Sequence, residues 1–213
     1  MKIKIVLVSV IILFITGFFY FTNALQAEDK LSSEKNLIPE PDLKNWPEAS
    51  QIAAKEMIDK YGKPNESTSE MLIWNNNGIW MQTIVYRKEM KHNFPKPHSD
   101  VLEQWINYRV PPSKYTELTQ FDGSITANRT NGTISARSDK EAMNILTLNL
   151  VYTIINESKD VEKARTEYTR NAVAFEKGEM TYYTYKLNFF NDASAPDADK
   201  PFNLTESIIL GSK

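Results

Sequence analysis

Between Ser138 and Glu157 the chain reads SDKEAMNILTLNLVYTIINE, and no charge interrupts it from Ala142 to Asn156. Apolar residues at Ala142, Met143, Ile145, Leu146, Leu148, Leu150, Val151, Ile154 and Ile155 point in every direction around a 3.6-residue helix, leaving no face for water. Such a helix must be covered on most sides, so the rest of the domain has to enclose it. It is too short for a bilayer, which needs ~20 apolar residues, and Asn144 and Asn149 interrupt it. Ser138 and Glu141 have the spacing of a capping box and predict where the helix starts. Asn144, Thr147 and Asn149 carry polar atoms into the core, and each needs a partner there.

The material for that enclosure is ordinary. Hydrophobic residues make up 41% of the 213 and charged residues 24%, the mixture of a folded domain rather than a disordered chain. Lys and Arg number 25 against 27 Asp and Glu. A partner such as nucleic acid is therefore not expected, because its affinity comes largely from cationic contacts to phosphate. The chain has no cysteine, which excludes disulfides, thiolate metal sites and a cysteine nucleophile. Its closest glycines, Gly123 and Gly132, are nine residues apart, so neither a phosphate-cradling GxGxxG loop nor a GxSxG elbow can be written. No nucleotide is expected.

Lys2 and Lys4 precede an uncharged run from Ile5 to Ala24, the pattern of a signal peptide or of an uncleaved membrane anchor over residues 1–24. Either places the remainder outside the cytoplasm, periplasmic or secreted, with the membrane as a partner through residues 5–24. Residues 25–45, charged and containing Pro39 and Pro41, read as a flexible linker. The globular domain is then 46–213.

Within it, Pro47 opens an amphipathic helix that Gly62 and Pro64 stop. Glu70 to Trp74 and Ile79 to Arg87 form a hairpin around Asn77-Gly78. Val101 to Val110 is expected as a strand and Pro112 to Gln120 as a short helix. A second hairpin, Ser124–Thr130 with Thr133–Ser138, turns at Asn131-Gly132; a two-residue turn would pair Thr130 with Thr133 and Asn128 with Ser135. A helix starts at Asp160 and ends at Gly178, and the alternating aromatics from Met180 to Phe190 predict a last strand. This order gives an α+β fold: an antiparallel sheet built from hairpins, with helices packed mainly on one face around the buried helix at 138–156.

Two places could carry chemistry. His92, His98 and Asp100 bring both histidines and a carboxylate within nine residues; imidazole and carboxylate suit zinc or a similar divalent ion, although Pro97 keeps the histidines from sharing a helix face. The second is the polar face of the later hairpin, with Asn128, Thr133, Ser135 and Arg137, where the guanidinium could hold an anionic group. The four tryptophans and ten tyrosines are expected mainly in the core. Asn-x-Ser/Thr sequons at Asn65, Asn128, Asn131, Asn156 and Asn203 matter only in a glycosylating secretory pathway.

Together these features lead to the expectation of an exported or membrane-tethered envelope module that binds a ligand or a protein and is not an enzyme. The alternative is a metal-dependent hydrolase using His92, His98 and Asp100. No motif demands a cofactor, and zinc at the histidines is the one the residues would suit.

Overall fold

The computed structural model describes residues 42–190 and 195–200. The leader at 1–24, nearly all of the linker and the terminal residues 201–213 lie outside them. The described elements run α1 (Glu48–Tyr61), β1 (Glu66–Ser67), β2 (Met71–Asn77), β3 (Trp80–His92), β4 (His98–Asn107), a 3-10 turn (Pro112–Lys114), α2 (Tyr115–Phe121), β5 (Thr126–Asn128), β6 (Thr133–Ser138), α3 (Glu141–Asn156), α4 (Val161–Glu176) and α5 (Tyr182–Tyr185). The strands form one antiparallel sheet in the order β1-β2-β3-β4-β6-β5. This is the expected α+β architecture. Among the described residues no helix is long and apolar enough to cross a membrane.

Cross-strand pairing decides which side chains meet the helices. Trp74 with Thr83, Val85 with Leu102, and Gln104 with Ala136 share one face. There Leu72, Trp74, Val85 and Leu102 pack with Ala53, Ala54 and Met57 of α1. Further along the same face, Ile106, Ile134 and Ala136 join Leu146, Leu148, Leu150 and Ile154 of α3. Leu146, Leu148 and Leu150 are wholly buried, each worth about 1.5–3 kcal/mol of transfer free energy. The all-round apolar helix is thus enclosed by the sheet on one side and by α2, α4 and α5 on others.

The polar atoms of Asn144, Thr147 and Asn149 in α3 find partners. Asn144 Nδ2 donates to Leu102 O at 3.1 Å and to Gln104 Oε1 at 3.0 Å, and Asn144 Oδ1 accepts from Ser138 Oγ at 2.9 Å. Asn149 Nδ2 donates to Tyr183 O at 2.9 Å and Lys186 O at 2.8 Å, and its Oδ1 accepts from Asn188 N at 2.8 Å. Thr147 Oγ1 donates to Met143 O at 3.0 Å within the helix. Asn149 therefore fastens the segment after α4 to the core. Asn149→Ala is expected to destabilise by about 1–3 kcal/mol and to raise hydrogen–deuterium exchange at the Asn188 amide well above that of α3 itself; unchanged protection there would contradict the role.

Three expectations are corrected. No capping box opens α3: Lys140 is the N-cap without a side-chain bond, and Glu141 points inward. Its carboxylate accepts from Tyr61 OH at 2.5 Å, Trp80 Nε1 at 2.5 Å and Gln104 Nε2 at 3.3 Å, and pairs with Lys60. A carboxylate in reach of four donors gains more from them than from one backbone N–H. The second hairpin is joined by residues 129–132 rather than by two, so Asn128 pairs with Thr133 and Thr126 with Ser135. The shift is two residues, which preserves the faces. The expected strand at 180–190 is instead the short α5 and irregular chain, held by the Asn149 bonds; its alternation marks no sheet edge.

Candidate metal centre

His92 and His98 end and begin adjacent strands and stand directly opposite each other, with Met90 opposite Asp100. On an antiparallel pair, opposed residues share a face, and residues two apart on one strand share it too. His92, His98 and Asp100 therefore converge by register, not through a loop. The segment from His92 to Asp100 is the closing end of a hairpin whose connection is only residues 93–97.

A β-bulge sets the face. From Val85, paired with Leu102, to Met90, paired with Asp100, four residues of β3 oppose Val101 alone. An odd surplus turns every later side chain of β3 to the other face. Without it His92 would follow Ile84 and Tyr86 away from the helices; with it, His92 joins His98 and Asp100 on the helix side. Two carbonyls of the bulge are satisfied from neighbouring elements. Ser50 Oγ of α1 donates to Arg87 O at 3.1 Å, and Arg137 Nη2 of β6 donates to Lys88 O at 3.2 Å.

One ligand-type atom from each of the three residues can be chosen so that all lie within 4.8 Å of one another. The two rings have centroids 5.0 Å apart. His92 Nδ1 is 3.2 Å from Asp100 Oδ2, and His98 Nε2 is 3.0 Å from Asp100 Oδ1. These are hydrogen-bond distances without hydrogen-bond directions: His92 Nδ1 and Asp100 Oδ1 are buried and have no hydrogen-bonded partner. Side-chain exposure is 20% for His92, 15% for His98 and 7% for Asp100, so water does little to relieve them.

Adjacent ligands around an ion with bonds of about 2.0–2.2 Å stand about 2.8–3.6 Å apart, from right-angled to tetrahedral geometry. Both imidazole–carboxylate contacts fall in that range, His98 Nε2 against Oδ1 of Asp100 and His92 Nδ1 against its Oδ2. His98 Nδ1 donates to Lys96 O at 2.9 Å, which leaves Nε2 as the lone-pair nitrogen facing Asp100. His92 Nε2 lies 3.7 Å from Asp122 Oδ1, and Asp122 is itself fixed by Ser124 N at 2.9 Å and Ser124 Oγ at 2.7 Å. A carboxylate behind a histidine orients the ring and raises its basicity.

The charges of the cluster favour protons on its imidazoles. The Asp100 carboxylate draws His92 upward in pKa against the effect of burial. Burial opposes charge on His98, but Asp100 and the Lys96 carbonyl outweigh it and raise that pKa as well. Burial alone would raise Asp100, yet the two imidazoles hold it below its usual range. A cation would displace those protons, so its affinity should fall as the pH drops through the histidine range.

No family model matches this chain, and no solved structure matches it. Its chemistry has to be read from its own residues.

The polar hairpin face has other work. Ser135 Oγ donates to Glu103 Oε1 at 2.6 Å and Tyr86 OH donates to Glu103 Oε2 at 2.7 Å. The Arg137 guanidinium lies over the Tyr86 ring, 4.0 Å from its centroid, besides bonding the bulge. Thr133 is buried, whereas Asn128 is exposed and its Oδ1 accepts from Asn131 N at 3.0 Å in the turn. Asp122 is the residue sequence reasoning missed. Its local signal, Asp-Gly-Ser, marks a turn and says nothing of the histidine it approaches.

Proposed function

We propose that this chain is a metal-binding protein, in which one divalent first-row ion is held by His92 Nδ1, His98 Nε2 and the Asp100 carboxylate at the tip of the β3–β4 hairpin. The observation that carries this reading is the convergence of one ligand-type atom from each of the three residues within 4.8 Å, with His92 Nδ1 and Asp100 Oδ1 buried and without a well-directed hydrogen bond, beside a histidine whose other nitrogen is already committed. Two imidazoles and one carboxylate suit zinc, iron or manganese, and three protein ligands leave a position for water or another molecule. An ion with such an open position lowers the pKa of bound water and polarises carbonyl or phosphoryl oxygen, the chemistry of a hydrolase. The basic and apolar N-terminal run favours a place outside the cytoplasm, exported or tethered. The internal bonding of Ser135 and Arg137 favours the histidine centre over the hairpin face as the working site.

Competition titration against a chromophoric chelator tests the proposal. The full-length chain is expected to take up one equivalent of zinc with saturation, and His98→Ala to lose that step. A wild-type chain that leaves the chelator loaded at every ratio would end the reading.

A further inference from the structure

A cleft of about 490 Å³ opens between the β3–β4 connection and helices α3 and α4, and His98 lines it. Its floor is apolar, made by Met143, Tyr168, Ala172 and Phe175. The charges at the rim cancel locally: Lys96 pairs with Glu176, and Lys140 with Asp139 at 2.5 Å. The floor adds no charge, because burial, reinforced by Asp122, Asp139 and Asp100, keeps Tyr168 a neutral phenol. A pocket of this size, with an apolar floor, a rim of internally paired charges and the His98 imidazole at one edge, has the proportions of a small-molecule site. With the rim charges already paired, an uncharged apolar body gains most, by burying surface on the floor. A polar head could be held at the His98 end.

We infer that the cleft is the ligand site of the metal centre and accepts a molecule with an aryl or short acyl body, whose oxygen-donor head completes the coordination of the ion. This rests on the metal-binding reading. The assignment follows from the juxtaposition of His98 with the Met143, Ala172 and Phe175 floor.

Cobalt is the probe ion, since its visible absorption reports each added ligand. Full-length chain in mild detergent is loaded with cobalt and titrated with acetohydroxamate or benzohydroxamate, which share a chelating head and differ in the ring. The ring should improve affinity about ten-fold or more, from the apolar area it buries. Phe175→Asp, which puts a charge on the half-buried edge of the floor, should remove that advantage while leaving cobalt uptake and acetohydroxamate affinity unchanged. Ala172→Leu, which narrows the cleft without a charge, should do the same and guards against misfolding of the first variant. Equal affinities for the two hydroxamates would overturn the cleft assignment and leave the metal centre standing. So would a preference for the ring that survives both substitutions, since the ring would then lie elsewhere. Failure to take up cobalt at all, seen before any hydroxamate is added, would overturn the metal reading and the cleft with it.

Discussion

Glu141→Ala should lower the stability of this domain by about 3–5 kcal/mol. The carboxylate is where α1, β3, β4 and α3 meet through Lys60, Tyr61, Trp80 and Gln104. Trp80 is 1% exposed and Gln104 fully buried, so the Trp80 N–H loses its acceptor out of reach of bulk water, and the Gln104 amide keeps only Thr83 Oγ1 at 3.3 Å as an oxygen acceptor. A buried donor left unsatisfied costs about 1–3 kcal/mol. Lys60 is half exposed and contributes little to the loss, because solvent takes over its solvation. Urea unfolding of wild type and variant measures the difference in midpoint; a loss below about 1 kcal/mol would show that the network is dispensable.

The same residue sets an acid limit. Burial would raise the Glu141 pKa, but the hydrogen bonds from Lys60, Tyr61 and Trp80 outweigh it and hold the group below the ordinary glutamate range. A folded-state pKa below the unfolded one contributes stability that is fully present above the unfolded pKa and lost as the pH falls through the folded one. Stability should therefore decline below about pH 4.5. Glu141→Gln should have a flatter profile across that window, and parallel profiles would refute the linkage.

Asp100→Asn should have the second large effect, on ion binding rather than on the fold. Loss of an outer partner of a metal ligand commonly costs 10–100-fold in affinity, so neutralising a direct ligand is expected to cost on the order of 100-fold or more. At a free-ion concentration about 100 times its Kd, zinc would add about 2.7 kcal/mol to wild-type stability. For a domain of this size that is a rise in Tm of roughly 5–10 °C. Asp100→Asn should show almost none of the rise at the same concentration. Equal responses from the two proteins would mean that zinc binds elsewhere.

Much of the architecture could be read from local pattern. The uncharged run predicted a helix enclosed on most sides, Asn77-Gly78 marked the first hairpin, and Asp160 was found as a cap: its carboxylate accepts from Glu162 N at 3.0 Å and Lys163 N at 3.2 Å. Where reading failed, a distant partner decided the outcome. Glu141 had the spacing of a cap and was taken by Trp80, Tyr61 and Lys60 from elements far away in sequence. The aromatics at 180–190 alternate like a strand, but Asn149 claims their backbone carbonyls. His92, His98 and Asp100 were visible as residue types. Their convergence was not, because it depends on the bulge after Val85, and no local signal in Tyr86 to Glu89 announces it. Arg137 was singled out for an anion, yet its guanidinium reaches the Lys88 carbonyl in that same bulge. The residue suspected of binding a ligand on one face thus helps to hold the geometry of the other.

Elemental analysis of the untagged full-length chain, purified without chelators, tests the metal centre most directly. About one transition-metal ion per chain is predicted for the wild type, falling to background in His98→Ala and Asp100→Asn preparations that remain folded. Metal-free wild-type protein that also fails to retain added zinc, iron or manganese would contradict the account.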